Sequence, residues 1–183
     1  MKAIGLCTFL LAAGFAAPPA SAFEISSPGV GSDNTIPMKN VANVFGCSGS
    51  GVSLPLVWKD VPKDAKSLAI SIYDPDAPTG SGFWHWVIVN LPPGTTSLPD
   101  GAGEVGNAKL PAGAVQARND AGFAGYLGPC PPQGDPPHHY VITIFAVNKD
   151  KLDIDANTSG AVVGFNLHFT TIAKASVTYT YGR

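Results

Sequence analysis

Four short motifs carry the residues of this chain that could do chemistry. Asp74-Pro75-Asp76-Ala77-Pro78 sets two carboxylates two residues apart, braced by two prolines. Proline locks its own φ and drives the preceding residue towards extended backbone, so the turn is stiff. A carboxylate held this way can orient a histidine or accept from an ammonium group. It can equally close an Asx turn on its own backbone. Phe83-Trp84-His85-Trp86 packs aromatic rings around a histidine. Such a ring can hold an anion when protonated, or sit buried with a backbone partner. Gly128-Pro129-Cys130-Pro131-Pro132 is a rigid loop whose only N–H donors are Gly128 and Cys130. Turn N–H groups can form an anion-binding concavity; the alternative is a surface Pro-rich loop tied down by its cysteine. His138-His139-Tyr140 opens a β-type run. Successive strand residues face opposite ways, so His138 and Tyr140 share a face and His139 points to the other.

Zinc needs three or four converging ligands. His85, His138 and a carboxylate could supply them, but the alternation removes His139, and neither C-x-x-C nor H-E-x-x-H occurs. Nor does a G-x-S-x-G elbow, a Walker loop or a dinucleotide fingerprint. The expectation is therefore no metal, no cofactor and no catalytic residue. A hydrolase using Asp74 and His85 as an acid–base pair is the weaker alternative, since it would further need a nucleophile and an oxyanion site. His168, isolated on a helical stretch, reads as structural.

These motifs must be held by strands. Ser67 to Tyr73 (SLAISIY), Trp84 to Asn90 (WHWVIVN) and Tyr140 to Val147 (YVITIFAV) are rich in β-branched and aromatic residues and end in Gly/Pro turns. Ser53 to Trp58 reads as a short strand, Ala175 to Tyr181 alternates like one, and 94–125 reads as loop with strand fragments. Thr158 or Ser159 is placed to cap a short helix running through Ala161, Val162, Phe165 and His168, although Gly160 and Gly164 weaken it. The fold expected is mainly β: a two-sheet antiparallel β sandwich with small helical elements near the C-terminus.

The composition agrees. The 183 residues include 21 Gly and 17 Pro, an excess without a repeat period that favours turns and short strands. Eleven basic against 13 acidic side chains leave no broad basic face, which argues against nucleic acid and against a polybasic membrane binder. Residues 1–22 read as a signal peptide: Lys2, an apolar run, then Ala20-Ser21-Ala22 as the cleavage site. The run is too short to span a bilayer, and no integral membrane segment is expected after cleavage. That leaves one domain, 23–183, exported to the periplasm or secreted. Cys7 leaves with the leader, so Cys47 and Cys130 remain. In an exported protein they suggest one disulfide; two buried thiols or a metal site are the alternatives.

In their order, the four motifs resemble the phosphatidylethanolamine-binding protein family, the Raf-kinase-inhibitor-like proteins, and within it the exported bacterial branch. The resemblance rests on DPDAPTGSGFWHWVIVNLPP (Asp74 to Pro93) and YLGPCPPQGDPPHHY (Tyr126 to Tyr140). FGCSG around Cys47, Leu56-Val57-Trp58 and Ala173-Lys174-Ala175 extend it over most of the chain beyond the leader. It implies two antiparallel sheets and a small pocket at one end for phosphate-type anions or phosphorylated head groups. Carried over by motif, the pocket holds Asp74, Pro78, His85, Pro131, Pro132, His138 and Tyr140, with Gly128 shaping the backbone of its loop. The departures are Phe83 where many relatives have Trp, and Gly51 and Leu54 where they have Asn and Pro. His139 stands where Arg is frequent, and the short tail predicts that the mouth-covering helix of animal relatives is missing or different here. Gly51 and Leu54 predict a looser loop.

The expected site is a shallow, preformed anion pocket. His85, His138 and the Tyr140 hydroxyl donate to oxygens, while Asp74 orients His85 and raises its pKa. The partners expected are a small phosphorylated or anionic ligand and a protein partner, a second copy of the chain (a homodimer) included. A kinase- or protease-inhibitor-like module acting through its surface loops is the alternative.

Overall fold

The computed structural model describes residues 22–183, so the segment 1–22 read as a signal peptide lies outside the described residues except for Ala22. Eight strands and one helix follow in the order β1 (Glu24–Ser26), β2 (Leu56–Lys59), β3 (Ser67–Asp74), β4 (Phe83–Leu91), β5 (Ser97–Leu98), β6 (Val115–Gln116), β7 (His138–Val147), α1 (Gly160–Thr170) and β8 (Thr171–Tyr181). A single 3-10 turn, Met38–Asn40, precedes β2. The strands make a three-stranded sheet, β1-β2-β5, and a five-stranded sheet, β6-β4-β3-β7-β8, with every named strand pair antiparallel. The mainly β, two-sheet class read from the sequence is the observed one.

The period of two explains how the sheets meet. Leu68, Ile70 and Ile72 of β3, Trp86 and Ile88 of β4, and Tyr140, Ile142 and Ile144 of β7 point to one face. There they pack with Ile25, Leu56 and Trp58 of the smaller sheet. Ala69, Val87, Val89 and Val147 point the other way, against Leu152, Ile154 and the helix residues Val163 and Leu167. Both faces of the central strands are therefore covered, which is why their sequences are almost continuously apolar.

The Ser159 hydroxyl accepts from the Val162 N–H and caps α1. Gly160 is required there: a Cβ would sit 2.4 Å from the Trp84 ring, so glycine is what lets the helix lie on β4. The chain passes from α1 directly into β8, which pairs with β7 from Thr171 to Tyr181. The strand is thus longer at its start than its alternating part suggested. β1, β5 and β6 are two or three residues long, too short to show a period. The 51–54 loop is not loose. The Gly51 N–H donates to Val41 O at 2.8 Å, and the Ser53 hydroxyl accepts from the Gly103 N–H at 2.8 Å.

Candidate functional site

The sheet register assembles the motifs. β3 ends at Asp74, which lies across from Phe83 at the start of β4, while Tyr73 pairs with Val141 near the start of β7. All three strand ends therefore meet at one end of the large sheet. The β3–β4 register steps from Ile72–Trp86 to Tyr73–Trp84, so β4 carries one extra residue, and that residue is His85. Such a bulge breaks the alternation. It brings the His85 ring to Tyr140 on the inner face, with centroids 5.2 Å apart, while Trp84 packs on the helix side.

The result is a cavity of about 210 Å³ that brings together every ligand residue expected from the motifs: Asp74, Pro78, His85, Gly128, Pro131, Pro132, His138 and Tyr140. Phe45, Thr79, Phe83, Leu127 and Cys130 also line it. Its polar groups are deeply set: Asp74 is 2% exposed, His138 4%, His85 6% and Tyr140 1%.

The hydrogen bonding corrects one expectation. Asp74 binds His138, not His85: His138 Nδ1 donates to Asp74 Oδ2 at 2.7 Å, whereas His85 Nε2 stands 4.0 Å from that oxygen. His85 is oriented instead by the Leu127 carbonyl, which accepts from Nδ1 at 2.9 Å and leaves Nε2 facing Asp74. Nor is the pKa of His85 raised. Burial disfavours the imidazolium and outweighs the Leu127 carbonyl and Asp74, so the value lies below that of a free histidine.

The second Asp74 oxygen accepts from the Asp76 N–H at 2.8 Å, so the Asx turn and the pocket role coexist in one residue. Asp76 turns outward to His139, accepting from its backbone N–H and its Nδ1, both at 2.8 Å. Those bonds hold the Asp76 carboxyl below the usual range. As the alternation required, His139 is exposed while His138 and Tyr140 are buried. Asp135 was not singled out by its motif, yet its Oδ2 lies 3.6 Å from His138 Nε2, so the ring stands between two carboxylates.

The Tyr140 hydroxyl is buried with no hydrogen-bond partner. Burial and the nearby Asp74 push its pKa up, so it remains a donor throughout the ordinary pH range. Gly128 acts through close approach: a Cβ there would lie 2.4 Å from Asn40 O and 2.5 Å from Ala42 N. Cys47 and Cys130 form a disulfide, Cα to Cα 5.9 Å, joining the Phe45 loop to the Pro-rich loop. Arg183 makes a second tie between them, with Nε donating to Pro131 O at 2.7 Å and Nη1 to Gly46 O at 2.9 Å. Phe45 opens the FGCSG stretch without being marked as a site residue, and Arg183 lies outside every quoted motif; only the fold brings them to the mouth.

An antiparallel two-sheet domain with a buried aspartate–histidine pocket at one sheet end, walled by a Pro-rich loop, defines a narrow structural class. The chain belongs to the phosphatidylethanolamine-binding protein family, whose model matches residues 26–182. It is 45% identical over 181 residues to the UPF0098 protein YbcL of Escherichia coli K12, covering 99% of this chain and 98% of that protein. The crystal structure of E. coli YbcL, described as a new member of the mammalian PEBP family, superposes with a TM-score of 0.86 over 89% of this chain and 99% of its own. The UPF0098 protein YbhB of the same organism is 48% identical over 143 residues, 78% of this chain and 89% of that protein. CT736 of Chlamydia trachomatis D/UW-3/CX matches with a TM-score of 0.73 at 31% identity, over 88% of this chain and 98% of its own.

Proposed function

We propose that this protein binds small phosphate-type anions, phosphorylated head groups among them, in the Asp74–His138–His85–Tyr140 pocket, without turning them over. The observation that carries the reading is the Tyr140 hydroxyl, buried in the pocket lining with nothing to donate to. Buried polar groups are nearly always paired, so a ligand oxygen is the natural acceptor. His85 supplies Nε2 as a second donor when protonated, and an anion beside it favours that protonation. His138 is already held by Asp74, so it joins the ligand only in competition with Asp135. The carboxylates repel a full dianion. A monoprotonated phosphate, or a phosphate that carries its own ammonium group, meets this arrangement better.

We further propose that the chain is exported. The leader-like segment 1–22 and the Cys47–Cys130 disulfide support this, since disulfides persist in oxidising compartments. Among the described residues, no helix is long and apolar enough to cross a membrane. Any protein partner would then act outside the cytosol.

The test is calorimetric titration of the oxidised protein with O-phosphorylethanolamine and with inorganic phosphate at about pH 5.5 and about pH 8. The His85→Ala variant is run alongside, together with a turnover assay on phosphate and acyl esters. Saturable binding that weakens at the higher pH, is lost in the variant and gives no product is the expected result. Absence of binding at both pH values would overturn the anion reading, and product formation would replace it with the hydrolase.

A further inference from the structure

Phe45 holds a backbone conformation that an aromatic residue rarely adopts, φ +56, and its side chain is 69% exposed. Packing in the core does not compensate for that conformation. Such outliers persist only where the surroundings over-determine them, and they cluster at ligand sites. The surroundings here are doubly tied. The disulfide anchors Cys47, two residues on, to Cys130, while Arg183 clasps the Phe45 and Gly46 carbonyls together with that of Pro131. Both ties join the same two loops, and Phe45, Cys130 and Pro131 all line the cavity.

We infer that Phe45 is a specificity-determining wall of the pocket, held in place by the disulfide and Arg183, and that it selects phosphate monoesters bearing an apolar or aromatic group over inorganic phosphate. The inference rests on the anion reading above and adds the ligand's second half. The buried polar groups meet the oxyanion. Phe45 and Phe83 offer hydrocarbon to whatever is esterified to it, and inorganic phosphate has nothing to place there. A ring–ring contact and the apolar area it removes from water correspond to about a tenfold preference.

The experiment titrates phenyl phosphate and inorganic phosphate into the oxidised parent, Phe45→Gly and Arg183→Met, with thermal unfolding of each. Glycine adopts positive φ freely, so Phe45→Gly should unfold at the same temperature or higher. It should lose the preference, with phenyl phosphate falling to the level of inorganic phosphate. Arg183→Met, which keeps the disulfide, should lose part of it. Equal affinity of the parent for both ligands would overturn the inference and leave the anion reading standing, as would a preference that survives Phe45→Gly. A Phe45→Gly variant that melts lower and loses both ligands would assign Phe45 a purely structural role. Failure of the parent to bind either ligand would remove the anion reading itself and this inference with it.

Discussion

Replacing Tyr140 by Phe should weaken ligand binding without weakening the fold, a combination that few buried-residue changes produce. The side chain is 1% exposed, belongs to the main core and meets the His85 ring edge-on at 5.2 Å, so the ring that remains keeps its contacts. Only the hydroxyl is lost, and in the free protein that group has no partner. Leaving a buried hydroxyl unsatisfied costs about 1–3 kcal/mol. Its removal should therefore leave stability unchanged or raise it by up to about 1 kcal/mol, a melting-temperature rise of about 2–4 °C for a domain of this size. With ligand present the sign reverses. A hydrogen bond to a charged oxygen contributes about 1.5–3 kcal/mol, so the dissociation constant should rise about 10- to 150-fold. Denaturant unfolding and calorimetric titration with O-phosphorylethanolamine at about pH 5.5 measure both quantities. A variant less stable by about 1 kcal/mol or more would mean that the hydroxyl is satisfied in the free protein. Unchanged affinity would mean that no ligand oxygen reaches it. Either result refutes the reasoning.

Burial lowers the pKa of His85 in the native state, while in the unfolded chain it titrates near its ordinary value of about 6.5. Below that value the unfolded chain binds a proton the native state lacks. Its contribution to stability is thus fully present above about pH 6.5 and is lost as pH falls towards the lowered native value. Unfolding curves from pH 8 to pH 5 should show this decline, and His85→Gln should flatten it. Anion affinity should run the opposite way and weaken as pH rises, because the imidazolium is the donor form. Replacing Cys47 and Cys130 by Ser should cost about 4.5 kcal/mol on the chain-entropy account of a long closed loop, read by denaturant unfolding. Gly160→Ala should destabilise by about 1–3 kcal/mol, because the new methyl meets the Trp84 ring. Calorimetry on that variant should show ligand affinity unchanged, since α1 packs against the sheet away from the pocket lining.

Residue order alone determined a good deal of this protein. The apolar runs of β3, β4 and β7 exceed what loops carry, so the central strands and the mainly β class follow from periodicity and β-branched content. The pocket residues stood in four motifs, and it was the resemblance of those motifs to the phosphatidylethanolamine-binding protein family that implied a common pocket for them. The start of the helix was legible as a cap at Thr158 or Ser159, because a side-chain oxygen there can accept from the first turn; the structure gives that role to Ser159. What only the tertiary structure decided depends on register and on contacts distant in sequence. Whether Asp74 serves His85 or His138 turned on the extra residue in β4, which re-aims His85 towards the Leu127 carbonyl 42 residues away. The sign of the His85 pKa shift was settled by burial, a property of the assembled sandwich and not of neighbours in the chain. Phe45 and Asp135 lie inside the quoted stretches and Arg183 outside them, but none could be given its role from the sequence, because a side chain becomes part of a pocket wall or a clasp only once distant loops are brought together.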